Sequence, residues 1–426
     1  MRTYAIALLA ILVSAVSAEA LTMEDLFAAL TTHPASKLDT LQTQEAELGV
    51  QGVHDRFYPT LTGILSYQEY NSPTNLRPVT PTETAQRQAN GEPLPFSETI
   101  GRIGAHVTMP IFIKELFSLG KKASLLSESA RVKQRLNLLQ REAVLISANG
   151  ELKHLEQLRL ALEARKGSLA KTRDDVQLQV NEGRAPRVEL VRMDEAITKI
   201  DLALNGAEQQ VAQLKNTIEE LTGIHLDTAL PMSNVGDITP GPFFALQPLE
   251  KAIQADEYGL QAARDKLYPR IVASGDWFNN YGEGYNNGED LDLEYGNFAI
   301  TLQVPLFDKS SYTGITRARV ELHRDKMRYQ KTKIELEARE KSLRRTLGLL
   351  ASSLELGKKS VAHQEQLLEV AKIAFRQRRM LQEEYLRYEE NLLQAQANYY
   401  QTRARWWQNF ATMAVLYGND LQELVK

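Results

Sequence analysis

Few side chains in this sequence stand where catalysis or metal binding would need them. The densest acidic stretch is Glu289, Asp290, Asp292 and Glu294. Closely spaced carboxylates can ligate calcium, but this spacing lacks the EF-hand order, and a solvated loop is the better reading. The seven histidines are scattered without an H-E-x-x-H pair, and no phosphate-binding glycine loop occurs. Complete absence of cysteine removes disulfides, thiolate zinc sites, iron–sulfur clusters, thiol catalysis and a cysteine-linked lipid anchor together. A second acidic group, Glu383, Glu384, Glu389 and Glu390, lies with Arg387 in a helix-forming tract and reads first as a solvated helix face. No nucleophile–base pair rises above composition. The expectation is a non-enzyme without cofactor or metal.

Elements rather than reactive groups therefore carry the reading. The chain has 426 residues, 43% of them apolar and 24% charged, enough for two or three domains and a buried core. A net charge of −4 argues against nucleic acid as a partner, which calls for a basic face. Arg2, an apolar run from Tyr4 to Val16, and the small residues of Ser17-Ala18-Glu19-Ala20 have the order of a secretory signal over residues 1–20. That run is too short to span a bilayer as a helix, and no other segment approaches the needed length. The mature protein is expected to be exported and to have no transmembrane helix.

The mature chain repeats itself. Residues 47–59, ending Asp55-Arg-Phe-Tyr58-Pro59, match residues 257–269, ending Asp265-Lys-Leu-Tyr268-Pro269, with six of thirteen identical at an offset of 210. Val107-Thr-Met-Pro110-Ile-Phe112 matches Leu302-Gln-Val-Pro305-Leu-Phe307, and Leu221-Thr-Gly223 matches Leu416-Tyr-Gly418, both at 195. The expected plan is a first repeat over 21–223, a linker over 224–246, a second repeat over 247–418 and a tail over 419–426.

Each repeat mixes two periodicities. All fifteen prolines lie at or before Pro305, and none falls between Pro110 and Pro186. The tracts after Pro110 and Pro305 are rich in Leu, Ala, Glu, Gln, Lys and Arg, the strong helix formers, with apolar residues at three- and four-residue steps such as Leu152, Leu155, Leu158 and Leu162. A very long helix is expected over 113–180, roughly 100 Å at 1.5 Å per residue. Gly183 and Pro186 break it in a turn over 181–187, and a return helix follows over 188–222. The second repeat should turn at about 378–384. Helices of this length build coiled-coil or tubular assemblies. Pro110 and Pro305 are expected to end a strand and begin a helix.

Upstream of each long helix lies a pair of alternating segments, expected as hairpins over 60–109 and 270–304. Phe298, Ile300, Leu302 and Val304 share one face, as do Ile103, Ala105, Val107 and Met109. Each segment has about the ten residues a tilted membrane strand needs. The connections, Asn71 to Glu98 and Asn279 to Gly296, are polar and rich in turn residues. Four strands cannot close a barrel, and open edges cannot face lipid, so a membrane barrel here would have to be shared among chains. Trp277, Phe278 and Tyr281 would suit the aromatic belt at a membrane interface. The competing reading is an exported periplasmic coiled-coil scaffold with soluble hairpins.

The duplicated order of helix, Tyr-Pro, hairpin, Pro-Ile/Leu-Phe, very long helix, turn, shorter helix and Leu-x-Gly resembles the TolC-like outer-membrane efflux family over essentially all of the mature chain. The two Asp-x-x-Tyr-Pro motifs and Gly183-Arg-Ala-Pro-Arg-Val-Glu189-Leu-Val-Arg-Met-Asp-Glu-Ala196 carry the likeness, the latter being similar to the family's periplasmic tip turn. The resemblance implies a mainly α fold with a membrane β-barrel. Three copies would form a twelve-stranded barrel in the outer membrane of a Gram-negative type envelope, continuing as a helical tunnel into the periplasm. It also implies a passive conduit joined by a periplasmic adaptor to an inner-membrane pump, for efflux or type I secretion. Adaptor contact is implied at Gly183, Arg184 and Val188. Copy two departs from the motif, since Arg378 stands where the glycine would be, and the two tips are not expected to be equivalent. Family members narrow the tunnel near the second tip with acidic rings. Glu384 falls at the first such position and Arg387 at the next, where like charges around an axis would attract cations and an arginine would close a salt-bridged ring.

Overall fold

A computed structural model describes residues 21–426, Gln382 by its backbone only. The expected secretion signal, residues 1–20, lies outside the described residues. In chain order the elements are α1 (Met23–Thr32), α2 (Pro34–His54), β1 (Thr60–Asn75), α3 (Pro81–Asn90), β2 (Phe96–Phe112), α4 (Lys114–Asn181), α5 (Arg187–Thr222), α6 (Gln247–Asp265), β3 (Arg270–Glu283), β4 (Asp290–Gln303), α7 (Lys309–Arg376), α8 (Gln382–Tyr417) and α9 (Leu421–Leu424). The long helices α4 and α7 have 68 residues each and the return helices α5 and α8 have 36 each. Among the described residues no helix is long and apolar enough to cross a membrane.

Helix ends are set by local chemistry. The Thr22 side chain accepts from the Asp25 amide while Asp25 accepts from the Thr22 amide, a reciprocal box that opens α1. Asp308 precedes α7 and accepts from the amide and hydroxyl of Ser310 and from the hydroxyl of Ser311, at 2.9, 2.6 and 2.5 Å. These bonds hold its carboxyl down at about 2. Helices α5 and α8 both stop at a glycine in the left-handed region, Gly223 (φ 73°) and Gly418 (φ 76°). The Leu-x-Gly landmark of the duplication is thus a helix-ending device.

The chain divides into two compact units, each built from both repeats. One contains residues up to 37, 137–242 and 339–426. Its core joins α1, the later part of α4, α5, α8 and α9 around Leu26, Phe27, Leu145, Ile146, Trp407 and Phe410. The segment between α5 and α6 is pinned to this unit through its backbone. Asn149, fully buried, both donates to the Leu230 carbonyl (2.9 Å) and accepts from its amide (2.8 Å). Glu156 accepts from the Ala229 amide, Arg403 donates to the Met232 carbonyl, and Asn234 bridges Val425. Such bonds satisfy polar groups that burial would otherwise leave costly.

The other unit contains residues 38–136 and 243–338 and carries the sheet, four antiparallel strands in the order β1-β2-β3-β4. Both hairpins have one register: carrying Thr60↔Thr108 forward by 210 and 195 positions gives Arg270↔Gln303, the pairing seen. The strands are longer than expected, 16, 17, 14 and 14 residues. They run into both connections, because polar and glycine residues at a solvated sheet rim still pair their backbones. Most of the 279–296 segment is strand, and the Asn71–Glu98 connection holds α3, opened by the Thr80 cap with Pro81 in its first turn. Pro110 does not open a helix. It lies in β2, where the register against β3 shifts between Pro110 and Phe112, a place where a residue without N–H is tolerated.

Candidate functional site

Alternation along paired strands gives the sheet two unlike faces. One exposes Leu61, Leu65 and Tyr67 of β1, Ile103, Val107 and Met109 of β2, Trp277 and Tyr281 of β3, and Phe298, Ile300 and Leu302 of β4. These side chains are bare in the single chain, Leu65 at 84% and Ile300 at 63% exposure. An apolar patch of this kind marks a surface made to be covered.

The opposite face is polar and bonded across the strands. His106 Nδ1 lies 2.5 Å from Asp276 Oδ1, and Thr108 Oγ1 lies 2.8 Å from His106 Nε2. Arg102 Nε donates to Asn280 Oδ1 at 2.7 Å. A proton on Nδ1 satisfies the carboxylate, and the Thr108 hydroxyl, which can donate or accept, serves Nε2. Sequence reading missed this row. The only signal was a charged residue alternating with apolar ones in each strand, and that says nothing about which strands pair.

The three aromatics expected to share a belt do not share a face. Trp277 and Tyr281 lie on the apolar side, where the Trp277 indole donates to Glu294 and Tyr281 accepts from Asn279 (2.9 Å). Tyr67 joins them, since both Tyr67 and Tyr281 pair with Gly101. Phe278, one position out of phase, belongs to the polar face, with Arg102 stacked 5.1 Å from its ring centroid. A Cβ on its partner Gly104 would come within 2.3 Å of the Phe278 ring, so the ring occupies the space that this glycine leaves open.

At the first tip α4 ends in a left-handed Gly183 (φ 74°) whose amide bonds Val180, while the Arg184 amide reaches the Gln179 carbonyl at 2.8 Å. Pro186 caps α5. Gly183, Arg184 and Val188 are all exposed, with Arg184 paired to Glu182 at 3.3 Å. Leu178 and Val191, also exposed here, add apolar surface that the motif alone did not single out.

The second turn occupies 377–381, between α7 and α8, rather than 378–384. Its backbone repeats the first. Arg378 takes a positive φ of 58°, its amide bonds Phe375, and the Arg379 amide bonds Ala374. The expected inequivalence of the tips is therefore one of side chains and not of chain path, because the hydrogen bonds that close the turn involve no side chain. Glu384 is exposed in the first turn of α8, while Arg387 donates to Glu383 along its own helix rather than to Glu384. An i, i+4 spacing brings 383 and 387 together.

The remaining acidic candidates do not converge. Glu289 precedes β4, and Asp290, Asp292 and Glu294 alternate along that strand. Among the described residues no group of three carboxylates or imidazoles is placed to hold a metal. His154, buried on α4, lies with Nδ1 3.2 Å from the Ala397 carbonyl, and burial lowers its tendency to protonate.

Comparison with solved structures identifies the fold. The chain is similar to the CmeC outer membrane channel of Campylobacter jejuni, at 14% identity and TM-score 0.73, covering 93% of this chain and 85% of that one. It is similar to the outer membrane protein VceC of Vibrio cholerae at 15% identity and TM-score 0.68, covering 93% and 96%. The MtrE outer membrane channel of Neisseria gonorrhoeae matches at 13% and 0.68, covering 94% and 90%. No family model and no curated protein matches the sequence. The chain has the fold of the TolC-like outer-membrane channels: mainly helical, with long paired helices and four antiparallel strands.

Proposed function

We propose that this protein is the outer-membrane duct of a tripartite export system, a passive conduit energised elsewhere. The observation that carries the reading is the sheet: four strands, two unpaired edges at β1 and β4, one apolar exposed face and one polar bonded face. Lipid accepts such a sheet only if its edges are closed and its polar face is turned to water. Three copies, β4 of each pairing with β1 of the next, would close it, with the His106–Asp276 row inside. The outer membrane is the expected location and the apolar band its lipid contact, with Trp277 and Tyr281 at the interface.

The tips are the proposed docking points of a periplasmic adaptor, which links the duct to an inner-membrane pump. Gly183, Arg184 and Val188 would meet it in copy one. Glu384 is the proposed constriction residue, with the Arg387–Glu383 pair beside it on the same turn. The pump rather than the duct would choose the cargo. No step requires catalysis or a cofactor.

The testing experiment is the mass of detergent-solubilised protein from the outer-membrane fraction, by light scattering corrected for detergent. A heat-labile trimer supports the duct. A soluble monomer or dimer from the periplasm would mean that the hairpins never meet lipid, and a coiled-coil scaffold would take its place.

A further inference from the structure

Within the strand-bearing unit, the seam between repeats is tied at the foot of the sheet by a polar cluster. Asp265, at the end of α6 and 3% exposed, accepts from Ser118 Oγ at 2.5 Å and from Gln261 Nε2 at 2.9 Å, with Lys114 Nζ at 3.5 Å. The same ammonium lies 3.3 Å from the centroid of the Tyr268 ring. A buried carboxylate is tolerated because every neighbour donates to it or offsets its charge.

Each member has a counterpart in the other repeat. At an offset of 210, Gln261, Asp265 and Tyr268 become Gln51, Asp55 and Tyr58; at 195, Lys114 and Ser118 become Lys309 and Thr313. The donor and acceptor chemistry is retained at all five. Yet Gln51, Asp55, Lys309 and Thr313 are exposed, and neither the Asp55 carboxylate nor the Lys309 ammonium has a hydrogen-bond or ion-pair partner among the described residues. Asp308, beside Lys309, is occupied by Ser310 and Ser311. Two halves of one cluster are present and unjoined.

Strand register offers an independent check. The same offsets carry the β2·β3 pairs Val107↔Gly275 and Ala105↔Trp277 onto Leu302 opposite Leu65 and Ile300 opposite Tyr67, across an edge that this chain leaves open. All four side chains belong to the exposed apolar face. A slip by one residue would set apolar against polar positions, so cluster and register agree on the same docking of a second copy.

We propose that Asp55 of one copy is held by Lys309 and Thr313 of the next, at a seam whose strands pair Leu302 with Leu65. The contact rests on the assembly proposed above and specifies its register and its polar lock. Breaking such a pair by removing one charge leaves the other buried alone, the costly case.

Because the chain has no cysteine, the full-length protein carrying Leu65→Cys and Leu302→Cys gives a clean test in outer-membrane vesicles. Directly opposed residues on antiparallel strands lie within disulfide reach. Oxidation should yield a reducible covalent trimer, and Leu65→Cys with Phe298→Cys should yield none. Separately, Asp55→Asn should lower the temperature at which the trimer dissociates, as should Lys309→Asp, and Asp55→Lys combined with Lys309→Asp should recover most of the loss. If the unmodified protein is a trimer but Leu65→Cys/Leu302→Cys does not cross-link, or Asp55→Asn leaves dissociation unchanged, the contact is refuted and the duct stands. A monomeric unmodified protein would refute both.

Discussion

Replacing Ile300 with arginine tests the proposal that the apolar face of the sheet meets lipid, because Thr301 beside it provides the control. Ile300 lies in the apolar band, opposite Ala273, while Thr301 lies on the polar face opposite Val272. An arginine on the lipid face of a barrel costs about 2–4 kcal/mol near the midplane and much less toward the interface. Three symmetry-related copies would together cost about 6–12 kcal/mol. Even the lower figure corresponds to about four factors of ten in the assembly constant, at about 1.4 kcal/mol per tenfold. Arginine at 301 would instead point into a hydrated lumen, where its charge stays solvated. Ile300→Arg should therefore remove the heat-labile trimer from the outer-membrane fraction, and Thr301→Arg should keep it. Urea titration of each variant in lipid vesicles would give the difference in stability. Equal losses from the two substitutions, or a larger loss from Thr301→Arg, would refute the assignment of faces.

Four further outcomes are expected. Alanine replacement of Gly183 to Pro186 should abolish export while trimers persist in the outer membrane, and loss of the trimers would reassign that turn to folding. Arg378→Gly should stabilise the second turn by about 1 kcal/mol, since a non-glycine residue at positive φ carries roughly that strain; an unchanged urea midpoint would contradict it. Charge reversal at Glu384 should change conductance or cation preference in planar bilayers, and unaltered single channels would remove it from the constriction. Stability should decline as pH falls below the ordinary imidazole value of 6.5, because burial holds folded His154 lower and the unfolded chain then binds the proton first. Urea unfolding between pH 8 and 5 should show a shallower decline for His154→Gln, and an identical slope would clear His154 of the effect.

Much of the architecture was legible locally. Proline-free tracts of helix formers announced α4 and α7, and Gly183 with Pro186 announced the first turn. Alternation around Val107 and Leu302 announced two of the four strands with their faces. Elements that lacked a strong period were less visible. The end of β1 is rich in Asn, Ser and Pro, the end of β3 and the start of β4 in Asn, Gly and acids, and all three read as loop. Helix α3 sat unnoticed in a proline-rich connection, although Thr80 and Pro81 form a helix start.

The sequence by itself determined the duplication and the two periodicities, because each is a property of neighbouring residues or of spacing along one chain. Tertiary structure alone decided which side chains meet. His106 and Asp276 are 170 positions apart and become partners only through the β2–β3 register. Phe278 meets Arg102 and fills the space beside Gly104 only because β2 docks on β3 in this register. Arg378 adopted a glycine's conformation because the turn's hydrogen bonds run through the backbone and outweigh the strain of its Cβ. Pairing over such distances depends on where whole elements dock, and that is set by burial and backbone bonding across the molecule rather than by any local preference.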